Sequence, residues 1–146
     1  MIRAFALSSV AALALIGCAS GVTLRNVRGS YQSVRQAVVS KLPGGIHHIS
    51  ENGREFDSGY FPPDVTKFQL DATKDKERAI AHLQILGDRR PYTVTVRVDV
   101  EIRQSNGRYE RDGLDDKLTN ELASRIRDDL VHRREDRNII DDFRTF

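Results

Sequence analysis

Between residues 92 and 103 apolar and polar side chains alternate without error. Tyr92, Val94, Val96, Val98, Val100 and Ile102 interleave with Thr93, Thr95, Arg97, Asp99, Glu101 and Arg103. A period of two places the first six on one side of an extended chain and the others on the opposite side. Only a strand buried on one face and open on the other satisfies that pattern, so it predicts an antiparallel sheet with one polar side. The segment before it alternates as well, with Ala79, Ala81, Leu83 and Ile85 against Arg78, His82 and Gln84, and residues 87–91 supply the turn between the two.

The rest of the chain supplies elements for the same sheet. Residues 46–51 and 54–60 flank Asn52-Gly53, a dipeptide suited to a two-residue hairpin turn with positive φ at both centres. After Pro62-Pro63, residues 65–71 read as a further short strand with Phe68 and Leu70 on one side and Lys67 and Gln69 on the other. Ser30 caps a helix whose apolar positions are Tyr31, Val34, Val38 and Leu42, and Pro43-Gly44-Gly45 ends it. Ser105-Asn106-Gly107 turns the chain, and Gly113 precedes a second helix with Leu114, Leu118, Leu122, Ala123, Ile126, Leu130 and Val131 on one face. Asp115 and Asp116 stand in its first turn and Arg133 and Arg134 beyond its last, as the helix dipole favours. The expected fold is a two-layer α+β domain: an antiparallel sheet of four to five strands with an N-terminal and a C-terminal helix packed on one face.

The two ends of the chain differ from this middle. Residues 1–17 hold 13 apolar side chains, no acid and a single charge, Arg3. The apolar run from Ala4 to Ile16 is too short to span a bilayer, which needs about 20 residues, and fits a secretory signal. Leu15-Ile16-Gly17-Cys18 resembles the lipobox of bacterial lipoproteins. The resemblance implies cleavage before Cys18, a diacylglycerol on its thiol and an acyl chain on the new amino terminus. Ala19 and Ser20 follow, with no Asp beside the cysteine, which in Gram-negative lipoproteins implies the outer membrane, facing the periplasm. The expected division is a signal peptide over 1–17, a lipidated tether over 18–29, and one α+β domain over 30–146 with a charged C-terminal tail.

The order helix, strands, helix is similar to the helix-grip arrangement of small envelope lipoproteins, among them the third lipoprotein component of the outer-membrane barrel-assembly machine. The stretch Asn52-Gly53-Arg54-Glu55-Phe56-Asp57-Ser58-Gly59-Tyr60 and the Val-rich strand leading to a final amphipathic helix carry the likeness, over roughly residues 30–131. The chain departs from that component in having one such domain where the component has two.

Residues 18–146 carry 22 basic and 21 acidic side chains, so no basic excess is available to displace counterions from nucleic acid. Cys18 is the only cysteine, which excludes an internal disulfide and any multi-cysteine metal site. His47, His48, His82 and His132 are the metal candidates, but adjacent residues of a strand point to opposite faces, so His47 and His48 read as surface histidines. Asp115-Asp116 and Asp128-Asp129 are carboxylate pairs that diverge by about 100° on a helix, unsuited to shared acid–base work. Neither a nucleophile elbow, a phosphate-cradling glycine loop nor a zinc-protease spacing occurs. Arg108 and Arg111 flank Tyr109, but Glu110 and Asp112 interrupt them, which reads as a solvated hairpin edge.

No catalytic residue, cofactor or metal ligand is therefore nominated, and Cys18 is the one site residue. The expected role is a non-enzymatic binding or scaffolding module that meets the membrane through its acyl chains and another envelope protein through one of two surfaces. These are the sheet face of Thr93, Thr95, Arg97, Asp99 and Glu101, and the tail with Ile139, Ile140, Phe143 and Phe146, which otherwise folds back on its own sheet. The alternative is a carrier of lipid or another small ligand in a helix–sheet cavity, against which the bulky inward residues of both elements argue.

Overall fold

Eight elements follow one another: β1 (Val22–Val27), α1 (Tyr31–Ser40), β2 (Ile46–Ile49), β3 (Glu55–Ser58), β4 (Glu77–Leu86), β5 (Tyr92–Arg103), β6 (Tyr109–Leu114) and α2 (Asp116–Asp142). They come from a computed structural model that describes residues 21–142, with side chains as far as Arg133. Cys18 and the segment before it, and the side chains of Ile139, Ile140, Phe143 and Phe146, lie outside the described residues. The fold is α+β, with two helices and one antiparallel sheet in the order β1-β5-β4-β3-β2, and β6 also on β5.

β5 organises this sheet because its length outruns any single partner. β4 pairs with it from Glu77 opposite Ile102 to Leu86 opposite Thr93. Two short strands share its other edge, β1 against Tyr92 to Val96 and β6 against Asp99 to Arg103. Val98 falls between them, and α2 fills the gap in the ladder. The Val98 N–H donates to Thr119 Oγ1 at 3.0 Å, and its carbonyl accepts from the Asp115 N–H at 2.9 Å. A buried backbone pair that no strand reaches is thereby satisfied by the second helix.

The apolar side of the sheet carries Ala79, Ala81, Leu83 and Ile85 of β4 and Tyr92, Val94, Val96, Val98 and Val100 of β5, all buried. Val34 and Val38 of α1 and Leu118, Leu122, Ala123 and Ile126 of α2 belong to the same cluster. As the sequence predicts, Ser30 is the N-cap of α1, its Oγ accepting from the Ser33 N–H. Leu42 lies past the end of the helix yet remains buried. The Gly44-Gly45 turn then passes so close to Gly59 that a Cβ there would stand 2.5 Å from the Gly44 carbonyl oxygen.

Several expectations need correction. The sheet has six strands, and the segment expected as a tether over 18–29 contains β1. Residues 65–71 form no strand: local turns, Lys67 N–H to Asp64 and Leu70 N–H to Lys67, take the place of a ladder, the Phe68 carbonyl accepts from the Gly44 N–H and the Val65 carbonyl from Arg125, and Phe68 is buried while Leu70 is exposed. At the β2–β3 hairpin only Gly53 has positive φ, because the loop is closed by the Ser50 N–H on Glu55 and by Asn52 Oδ1, which accepts from Ser50 and Arg54. Leu114 ends β6 instead of opening a helix, and Asp115 caps α2 by accepting from the Leu118 N–H at 2.9 Å. α2 continues to Asp142, so Arg133 and Arg134 lie within it and not beyond it.

Candidate functional site

The opposite side of the sheet is polar, and side chains of three strands, β4, β5 and β6, converge there on one carboxylate. Asp99 of β5 is only 3% exposed although it lies on the polar face. Arg97 Nη2 stands 2.9 Å from its Oδ2 and Arg111 Nη2 2.8 Å from its Oδ1. His82 of β4 approaches from the third side, with Nε2 3.6 Å from Oδ2. The other ring nitrogen, Nδ1, lies 2.7 Å from Oδ1 of Asp57 on β3, whose Oδ2 is 3.5 Å from His48 Nδ1 on β2. A band of alternating basic and acidic side chains thus crosses the sheet from β2 to β6.

Register builds the band. Asp57 pairs with His82 and His82 with Arg97, so these three share a face by the alternation of strand side chains. Arg111 arrives through a β-bulge. Leu114 pairs with Asp99 and Gly113 with Val100, but Arg111, not Asp112, pairs with Glu101. The extra residue turns a cation toward two carboxylates where unbroken register would have set Asp112 opposite Glu101, a repulsive pair.

A second structure on this face stiffens its far corner. The Arg78 guanidinium lies 3.5 Å from the Tyr60 ring centroid and 3.4 Å from that of Tyr109, between the two rings, and pairs with Glu101 at 2.8 Å. Arg78 Nη1 also donates to the Thr73 carbonyl, while the Tyr109 hydroxyl reaches the Thr73 and Asp75 carbonyls. Planarity and permanent charge suit arginine to such a stack. The loop ahead of β4 is thus pinned to the sheet. In that loop, backbone and side-chain hydrogen bonds from Thr66, with Lys67 nearby, hold Asp64 below its ordinary pKa. Side-chain and backbone bonds from Thr73, with Lys74 nearby, do the same for Asp71.

The expected face residues Arg97, Asp99 and Glu101 come together here, joined by Asp57, by His82, which the sequence offers only as a metal candidate, and by Arg111, which it offers only as part of a hairpin edge. Alternation alone places His82 on the polar side of β4; the bulge that brings Arg111 leaves no sequence signature. His82 meets carboxylates at both nitrogens, an arrangement that orients the imidazole. His47 and His48 diverge, one toward the Tyr60 ring and the other toward Asp57. Among the described residues no group of three or more His, Cys, Asp or Glu converges as a metal site. Asp129 pairs with Lys41 and Arg133. No helix among the described residues is long and apolar enough to cross a membrane.

Three clefts are present among the described residues, one of them beside this face at Tyr60 and Thr73. One of about 310 Å³ separates β1 and the β1–α1 connection from α2, lined by residues including Arg25, Val27, Arg28, Arg127 and Leu130. A second, of about 620 Å³, lies beside Lys41, Phe68, Arg125 and His132. The sequence matches no protein-family model, and comparison with curated proteins and with solved structures gives no significant match.

Proposed function

We propose that the chain is a lipoprotein anchored to the outer membrane through acyl chains on Cys18. Its α+β domain, facing the periplasm, acts as a non-enzymatic scaffolding module, and both helices pack on one sheet face in a helix-grip manner. The observation that carries the binding role is the charged band from His48 to Arg111. Of the sheet's two sides, this one carries the exposed charges, while the helix residues cluster with the other. Its arginines are held at fixed spacing by a buried carboxylate, so they are preorganised and lose little freedom when a partner's acidic groups meet them. The lipobox supplies the address, since three acyl chains hold a domain at a bilayer far more firmly than one. A photo-crosslinking residue at Thr95, beside the band, should capture a discrete envelope protein in living cells, and the same residue at exposed Gln36 of α1 should not. Equal labelling from both positions, or none from Thr95, overturns the assignment of this face. The carrier reading keeps one specific support, the cleft between β1 and α2.

A further inference from the structure

That cleft has a chemistry of its own. β1 carries a bulge: Leu24 pairs with Val94 but Val27 with Tyr92, so one extra residue lies between them. Asn26 accommodates it with φ of 59°, the positive-φ non-glycine residue among those described. The bulge turns both Leu24 and Val27 to the apolar side, where Leu130 of α2 packs against the same core. Arg25 and Arg28 stand at the rim, and Arg127 closes it from α2. Among the described residues none of the three forms an ion pair. On the helix, the positions three and four residues either side of Arg127, where a side chain could pair with it, are Ala123, Ser124, Leu130 and Val131, none of them acidic; of the adjoining Asp128 and Asp129, the second pairs with Lys41 and Arg133.

Three guanidinium groups outside any ion pair among the described residues, around a pocket of about 310 Å³, are an arrangement that attracts a small polyanion. We propose that this pocket binds a phosphate ester, its oxygens on Arg25, Arg28 and Arg127. Arginine matches phosphate geometry through paired N–H donors, and the Thr23 and Ser33 side chains line the same space. Leu24, Val27, Leu130 and the half-exposed Val131 line the same pocket, so an anionic phospholipid headgroup with the start of its chains fits better than a free phosphate ester. This site goes beyond the scaffolding role and does not depend on acylation of Cys18.

The full chain in neutral detergent is titrated with dihexanoyl phosphatidylglycerol and separately with glycerol 3-phosphate, following the arginine Nε–H and the 23–29 amide signals by NMR. Saturable shifts confined to these residues are expected with the lipid, weakened at least tenfold in the Arg25→Gln/Arg127→Gln double variant and largely restored by Arg25→Lys/Arg127→Lys. Equal affinity for glycerol 3-phosphate retains the phosphate site and assigns it to a soluble ester. No saturable shift with either probe, or affinity unchanged in the Gln variant, overturns the proposal. Because the anchor plays no part in the titration, a negative result leaves the lipoprotein assignment standing, and failure of acylation leaves this site standing.

Discussion

Thr119→Val isolates the joint between the helix layer and the sheet. The side chain is 1% exposed and its hydroxyl accepts from the Val98 N–H at 3.0 Å, inside the interval of β5 that neither β1 nor β6 covers. Valine fills the same volume, so no cavity forms, but it leaves a buried amide donor without an acceptor. That costs about 1–3 kcal/mol, and for an ordered region of this size lowers Tm by about 4 °C for each kcal/mol. Thr119→Ser is the matched control: it keeps the acceptor and loses one methyl group, worth about 1 kcal/mol. Urea denaturation gives the stability of each variant, and amide hydrogen exchange reads Val98 directly. The expectation is a Val98 amide that exchanges faster in Thr119→Val than neighbouring β5 amides, and one that keeps pace with them in Thr119→Ser. A Thr119→Val protein as stable as the parent, with Val98 still fully protected, would refute the idea that α2 completes the ladder.

Three further expectations follow from the polar face and its loop. Arg78→Lys should cost about 1–2 kcal/mol, because an ammonium cannot lie flat between Tyr60 and Tyr109 while pairing with Glu101; equal urea midpoints for the two proteins would contradict this. Asp99→Asn should destabilise by about 1–3 kcal/mol, the exposed guanidinium groups of Arg97 and Arg111 recovering part of the loss in water, and line broadening of both arginine Nε–H signals would report their release. Asp64 and Asp71 titrate lower in the folded state than in the unfolded chain. Their contribution is present above the unfolded pKa and disappears as pH falls through the folded one. Urea midpoints of the parent and Asp71→Asn should therefore differ near neutrality and converge in acid; a constant gap across that range would rule the effect out.

What the amino acids announce and what they conceal separates along one line, the regularity of the period. β5 alternates over its full length and β4 over most of it, with Ile80 and Leu86 the exceptions, and both are readable from letters alone, as is α1 with its Ser30 cap. β1 is hidden because its bulge at Arg25-Asn26 breaks the alternation between Leu24 and Val27, leaving a segment that reads as irregular. β6 shows only as a hairpin edge around Tyr109 for a related reason: half of its residues are charged, and Asp112 interrupts its register. Residues 65–71 err the other way, alternating by chance while successive turns, and not a neighbouring strand, take up their N–H groups at Lys67 and Leu70. The last turns of α2 lose their apolar stripe after Val131, so nothing in the pattern predicts that the helix continues to Asp142. The site follows the same rule. Arg97, Asp99 and Glu101 announce themselves as one polar row, whereas bringing Asp57, His82 and Arg111 to that row takes strand register, which depends on turns and bulges far from the residues concerned.

The mass of the intact protein recovered from a bacterial host that processes lipoproteins tests the assigned location most directly. The expected species begins at Cys18 and carries a diacylglycerol and an amide-linked acyl chain, both abolished by Cys18→Ser. A mature protein with an unmodified thiol at position 18, or one cleaved at another residue, would contradict the anchored role.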